Sequence, residues 1–474
     1  MKSTVAPLEG NKVKLSVEVD EAEFDKDIDA AFRKIAREVR LPGFRPGKAP
    51  RRLLEARIGL APAREQALRD AIPGYLAQAV RAHEVDIIAP PEVDITAGEE
   101  EGPVAFDATI EVRPVVFVPG YAGLRVEVPA VEVDDAEVEA RTDALRRPYG
   151  ELADVDRPAQ KGDFVTLDLE AHRDGEPVPG LNTEDWLYEV GRGWIAADFD
   201  DFVEGTAAGD TRTFTTTPTG TDTPADITIT MKKVQELALP ELTDDWVQEN
   251  TDGFDTVEAW VEHQRTTLQD VRVAQAREAL LDGATTSLAQ LVDEEPPEAL
   301  VAPELRRRAE NTVQRLAQQG IGLEQFLAAT GQDTDAFVEQ LRGAASTAVK
   351  VDLALRAVAE AEGLGVDDDE LDAEFERIAR AVGQKPSVVR KAYEREDAVV
   401  GLTAELRKRK ALSWLLRHVE VVDPEGRPID RTLLVGDDPM ADDAVVEIAG
   451  ADPAAADHHD HDHDHDHHHH DHHH

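Results

Sequence analysis

The chain has 474 residues, too many for one ordinary domain, so about two to four are expected. Its formal net charge is -47, from 51 lysines and arginines against 98 aspartates and glutamates, which repels copies from one another and disfavours general binding to nucleic acid or anionic membranes. Cysteine is absent, excluding disulfides, thiolate metal sites and cysteine nucleophiles. Residues 1–7 carry no apolar leader and no run is apolar enough to span a bilayer, so a soluble, cytoplasmic, multidomain protein is expected.

In chain order, Val13, Leu15, Val17 and Val19 alternate with polar residues, the period of a half-buried strand. Asp20 and Glu23 stand at capping-box spacing, and Phe24, Ile28, Ala31, Phe32 and Ile35 then recur at helical spacing. A second helical stretch covers residues 61–83, with a break or kink expected at Pro73-Gly74. Residues 87–91 are extended, and Phe106, Ala108, Ile110 and Val112 alternate as a closing strand. Residues 1–112 therefore read as a compact α+β domain.

Between its helices lies Leu41-Pro42-Gly43-Phe44-Arg45-Pro46-Gly47-Lys48-Ala49-Pro50, whose prolines and glycines forbid a helix interior. Arg33, Lys34, Arg37 and Arg40 precede it, and Arg51, Arg52, Arg57, Arg64 and Arg69 follow, opposed along that stretch only by Glu38, Glu55 and Glu65. A cationic island in so anionic a chain reads as a docking loop for a phosphate-rich surface; the plainer alternative is a solvated turn with incidental charge.

The run from Gly43 to Pro50 resembles the Gly-Phe-Arg-x-Gly-x-x-Pro signature of the trigger factor family, bacterial ribosome-associated chaperones, and the order of segments resembles that family to about residue 430. The resemblance implies a ribosome-binding set of Gly43, Phe44, Arg45, Gly47, Lys48 and Pro50. In it Phe44, Arg45 and Lys48 touch ribosomal protein and RNA beside the nascent-chain exit, and Gly43 and Gly47 permit the backbone shape. Arg45 can bind carboxylate or phosphate in bidentate fashion, which lysine cannot.

Residues 113–153 read as a proline-punctuated linker followed by an arm helix over 131–149. Strands are expected at 163–170, 187–191, 211–215 and 226–231, with turns at Arg173-Asp174-Gly175-Glu176 and Gly209-Asp210. With one short helix, they make residues 154–236 a small antiparallel-sheet domain. It resembles the FKBP-type prolyl isomerase domain that trigger factors insert, at Lys161-Gly162-Asp163, Asp174-Gly175, Gly191-Arg192-Gly193-Trp194-Ile195, Phe199 and Gly205.

That resemblance implies a catalytic pocket of Trp186, Ile195, Phe199 and Ile227, apolar walls that disfavour the planar X-Pro amide relative to its twisted transition state. The chain departs from the family pattern at Val178-Pro179, at Ala196-Ala197-Asp198 and in the tyrosine-free segment 217–224, so weak isomerase activity is expected. An ordinary core use of Trp186 and Phe199 is the alternative.

Residues 237–430 are helical almost throughout. Asp255 and Glu258 stand at capping-box spacing before Trp260, Leu268, Leu281, Ala284 and Leu288, Pro296-Pro297 breaks the run, and Pro303 is expected to open the next helix. A long amphipathic helix follows from Phe337 and a shorter one from Leu371, and Pro386 is expected to open a single last helix ending near Leu416. Such stripes are mostly core, but arm-like helices would leave apolar strips exposed for unfolded chains. A Gly-rich phosphate loop with its lysine is absent, which agrees with ATP-independent action without a cofactor.

Order is expected to fade beyond Asp423, leaving 431–474 as an acidic, disordered tail. His458, His459, His461, His463 and His465 can bind divalent metal in non-unique geometries, so metal binding there is incidental and no fixed metal site is expected. The whole reads as a multidomain α+β chain: an α+β ribosome-binding domain, an antiparallel FKBP-like domain, an elongated all-α domain and a tail. The resemblance implies a ribosome-docked holder of nascent and unfolded polypeptides that aids folding and export, and it leaves open a weak homodimer off the ribosome. The alternatives are a free-standing prolyl isomerase and a metal-handling protein that acts through its tail.

Overall fold

The computed structural model describes residues 1–38, 44, 47–396 and 398–435. The chain divides into two compact units: Met1–Val128 together with the chain from Arg277 onward, and Pro129–Ala276.

The N-terminal module comprises β1 (Lys2–Pro7), β2 (Lys12–Val19), α1 (Glu21–Glu38), α2 (Arg51–Ile58), α3 (Ala61–Ala82), β3 (Glu92–Ala97) and β4 (Val104–Glu111). The strands form one antiparallel sheet in the order β1-β2-β4-β3, with Lys12 opposite Glu111 and Val19 opposite Val104. Alternation on β2 and β4 turns Leu15, Val17, Val19, Phe106, Ala108 and Ile110 into one core with Phe24, Ile28 and Phe32 of α1. Glu23 closes no box with Asp20: its carboxylate takes the Met1 ammonium at 2.6 Å. Helix α3 runs through Pro73 without a break. A proline removes one backbone donor, and buried Ala63, Ala67, Leu68, Leu76 and Ala79 on either side hold the element together.

After β5 (Arg125–Glu127), the second unit holds α4 (Asp135–Arg146), β6 (Glu151–Asp154), β7 (Phe164–Arg173), β8 (Glu176–Pro177), β9 (Thr183–Glu189), α5 (Phe199–Val203), β10 (Thr211–Thr216), β11 (Ala225–Ala238) and α6 (Asp244–Asn250). The arm helix starts later than its apolar pattern suggests, because Asp134 and Glu137 cap it reciprocally, at 2.8 Å and 3.1 Å. The antiparallel sheet runs β10-β11-β7-β8, with β6 on β11 and β9 on β7. Asp174 and Gly175, both at positive φ, make the β7–β8 turn.

Helix α7 (Val257–Gln290) begins in the second unit and ends in the first. Its first turn is capped by Thr256, whose hydroxyl accepts from the Ala259 N–H at 3.3 Å, in place of the expected Asp255–Glu258 box. Then come α8 (Glu298–Gln318), α9 (Leu323–Thr330), α10 (Thr334–Ala361), α11 (Asp368–Ala381), α12 (Pro386–Arg395), α13 (Val399–His418) and β12 (Glu420–Val422). Pro303 does not open α8; it lies inside a helix that starts at Glu298. The expected single last helix is two, α12 and α13, each with its own ends.

Strand β12 pairs in parallel with β5, and α7 crosses this pair so closely that a Cβ on Gly283 would stand 2.5 Å from Val126 Cγ1. Order persists past Asp423: Leu434 is buried, and its carbonyl accepts from Arg277 Nε at 2.7 Å. Among the described residues no helix is long and apolar enough to cross a membrane.

Candidate functional site

The loop between α1 and α2 returns through Gly47, whose N–H donates to the Ala36 carbonyl at 2.7 Å. Gly47 sits at φ +79°, a conformation that suits glycine, and a Cβ there would meet Arg37 Cγ at 3.3 Å. Phe44 is 41 % exposed, and Lys48 and Pro50 are exposed beside it. Pro50, in extended conformation, leads directly into α2. Gly43 and Arg45 lie outside the described residues, as do Arg40, Leu41, Pro42 and Pro46.

The basic flanks separate into two sets. Arg64 is only 2 % exposed: its Nε donates to the Gly98 carbonyl at 2.7 Å, its Nη2 to the Gly102 carbonyl at 2.6 Å, and its guanidinium lies 5.2 Å from the centre of the Phe24 ring. Arg51 pairs with Asp25 and Asp29, each at 2.7 Å, and hydrogen bonding to Arg51 holds the Asp25 carboxyl below the usual carboxylate range. Lys34 pairs with Asp70 and Arg69 with Glu65. These four cations have partners within the module. Arg33 and Arg37 on α1, Lys48 in the loop, and Arg52 and Arg57 on α2 are exposed and carry no ion pair among the described residues.

In the second unit, Trp186, Ile195, Phe199 and Ile227 come together around one apolar cluster. Phe199 and Ile227 are 0 % exposed, whereas Trp186 and Ile195 are half-buried, so only the latter two reach the surface. Trp186 lies 4.7 Å from Tyr188 and 6.3 Å from Phe199, centroid to centroid. The segment 217–224 is tied over Ile195, since the Thr219 N–H donates to the Ile195 carbonyl at 2.7 Å.

Two residues the motif comparison missed organise this wall. The Asp200 carboxylate accepts from Tyr188 Oη at 2.6 Å and from the Gly191 and Gly193 N–H groups, each at 2.8 Å. Burial first, and then Asp200, push the Tyr188 phenol well above its ordinary pKa. Asp200 thus fixes the Gly191–Gly193 turn that carries exposed Trp194 and half-buried Ile195. The available signal was the aromatic pair Trp186 and Tyr188, two apart on one strand face.

In the helical module most striped residues are core, including Leu281, Ala284, Leu288, Phe375 and Ile378. Val313, Val338, Val382, Val388 and Val400 stay exposed, as do Val115 and Phe117 in the linker. The histidines at 458, 459, 461, 463 and 465 lie outside the described residues.

Two family models match: one for the bacterial trigger factor protein over residues 1–145, and one for its C-terminus over residues 256–417. The trigger factor of Frankia casuarinae is 37% identical over 440 residues, covering 91% of this chain and 90% of that protein. That of Frankia alni is 38% identical over 450 residues, covering 94% and 90%. The chain belongs to the trigger factor family. It is a chaperone by that membership, and its α+β, antiparallel-sheet and helical modules are those expected of the family. A solved structure of the trigger factor chaperone aligns over 88% of this chain and 99% of that one, at 22% identity and a TM-score of 0.44.

Proposed function

We propose that the chain docks on the ribosome through the tip of its N-terminal module and holds emerging and unfolded polypeptides without ATP. The supporting observation is Phe44, an aromatic 41 % exposed in a loop whose flanking residues include the exposed cations Arg33, Arg37, Lys48, Arg52 and Arg57, in a chain whose net charge is -47. Arg33, Arg37, Arg52 and Arg57 supply attraction to RNA phosphates, while Phe44 adds an apolar contact of defined shape. On this reading residues 1–112 dock, 113–153 link, 154–236 act on proline segments, 237–430 hold clients and 431–474 form the tail.

The exposed valines of the helical module give clients weak, sequence-tolerant apolar contacts bordered by charge. Isomerisation of X-Pro bonds is assigned to the FKBP-like wall, with Trp186 and Ile195 touching the peptide and Phe199 and Ile227 supporting them from beneath. On this reading the protein acts in the cytoplasm, where nascent chains emerge.

Pelleting through a sucrose cushion tests the docking. The parent chain is expected in the ribosome pellet, and a Phe44→Ala, Lys48→Ala variant largely in the supernatant. Equal pelleting of the two would show that the tip does not dock.

A further inference from the structure

Arg33, Arg37, Lys48, Arg52 and Arg57, all exposed and without an ion pair among the described residues, crowd into residues 33–57 of a chain whose net charge is -47. Neighbouring cations of the same module, Lys14, Lys34, Arg51 and Arg69, all hold carboxylates. The chain itself carries a polyanion. Residues 436–474 contain twelve carboxylates and twelve histidines and neither lysine nor arginine.

We propose that this C-terminal segment is an internal ligand of the exposed cations on and between α1 and α2, where it competes with RNA, and that protonation of its histidines releases it. The contact needs only the charges just named; the competition rests on the docking reading above.

Charge complementarity selects the face. The rest of the chain is strongly anionic and repels the segment, so an unpaired basic surface is where it gains attraction. Reach is no obstacle: the segment follows Val435, which belongs to the same compact unit as the N-terminal module, and 39 residues span at most about 130 Å. Each exposed ion pair is weak, but a tether raises the local concentration of the segment to roughly millimolar, so a weak contact suffices.

The pH dependence follows from the segment itself. Above an imidazole pKa of about 6.5 its histidines are neutral and its carboxylates dominate. As pH falls through that value the imidazolium charges cancel them, and the contact weakens. The acids around the face are Glu38 on α1, Glu55 beside Arg51 on α2, and Glu65 and Asp70 paired on α3. His83, the one histidine of residues 1–112, lies at the end of α3 against Ser3 Oγ at 3.0 Å.

The test uses the full chain and a chain ending at Val435, which keeps every described residue. A fluorescent peptide of residues 436–474 is titrated into the shortened chain at low salt, with anisotropy as readout. Saturable binding at pH 7.8 is expected, about tenfold weaker at pH 5.8 and about tenfold weaker for an Arg33→Glu, Arg37→Glu, Arg52→Glu, Arg57→Glu variant whose circular dichroism is unchanged. In ribosome pelleting, loss of the segment is expected to raise affinity about three- to tenfold at pH 7.8 and to change little at pH 5.8.

Failure of the peptide to bind, or equal binding to the charge-reversed variant, overturns the proposal. So does concentration-dependent self-association of the full chain that is lost in the chain ending at Val435, which would put the segment on a second copy. If the peptide binds the face but neither chain pellets with ribosomes, the docking reading fails and the internal contact stands. If both chains pellet with equal affinity at pH 7.8, the competition is refuted.

Discussion

Arg64 and Arg57 belong to one basic stretch and do different work. Arg64 is buried against Phe24 and satisfies two carbonyls, so Arg64→Ala leaves Gly98 and Gly102 without donors and is expected to cost about 2–4 kcal/mol in urea unfolding. Gly98 cannot close the gap by changing identity, since a Cβ at its φ of +87° would stand 2.7 Å from Val104 Cα. Arg57→Ala removes only an exposed charge and is expected to shift stability by less than about 0.5 kcal/mol while weakening ribosome binding. Sequence order concealed this division, because Asp25, Asp29 and Asp70 answer Arg51 and Lys34 from outside the basic stretch.

Acid stability is also set at this scale. Burial pulls the Asp163 carboxyl upward, but hydrogen bonds from Arg157 and the Gln160 N–H outweigh it and leave the pKa lowered; Asp352 and Glu374 are lowered in the same sense, against burial, by Lys408 with Arg356 and by Arg377 with Arg409. A depressed folded pKa contributes stability above the unfolded value of about 4 and loses it as pH falls through the folded one. Thermal melts from pH 6 to 3 are expected to stay flat to about pH 4 and then fall, with a shallower fall for Asp163→Asn.

At the scale of elements, what the sequence made legible was what repeats. The alternation of β2 and β4, the apolar face of α1 and the strands around Asp174-Gly175 all appear where their period put them. Short elements were missed, among them β1, β3, α2, α6, α9 and the β5–β12 pair, since a few polar residues carry no period and gain their shape from neighbours. Prolines misled for a related reason: Pro73 and Pro303 lie within helices that packing carries past a single lost hydrogen bond. In the second unit the motif named Trp186, Ile195, Phe199 and Ile227, which share one apolar cluster, but the Tyr188–Asp200 bond carried no signal, as partners on a strand and a separate helix share no spacing rule.

The crossing of α7 over β5 provides a test of packing. Gly283→Ala gains about 1 kcal/mol of helix propensity, yet its methyl would press on buried, β-branched Val126, an overpacking cost of about 1–3 kcal/mol. The expected result is a net loss of stability in thermal melting. In the second unit, Ile195→Ala is expected to lower turnover on a proline peptide about tenfold while the unit stays folded, because the side chain is only half-buried.

At the scale of the whole molecule, the proposed docking brings an anionic chaperone to an anionic ribosome, and on that reading the exposed cations around the α1–α2 loop supply the attraction. Binding is therefore expected to weaken linearly in log affinity against log salt, and Arg52→Ala is expected to reduce that slope by about 0.7–0.9. The most direct measurement of docking is photocrosslinking from residue 44. A photoreactive phenylalanine analogue replaces Phe44 in one chain and Val5 in another; both positions are 41 % exposed, and Val5 lies on β1. Adducts to ribosomal protein or RNA are predicted from position 44 and few from position 5. Equal yields from both positions, or none from 44, would contradict the docking of this chain through its N-terminal tip.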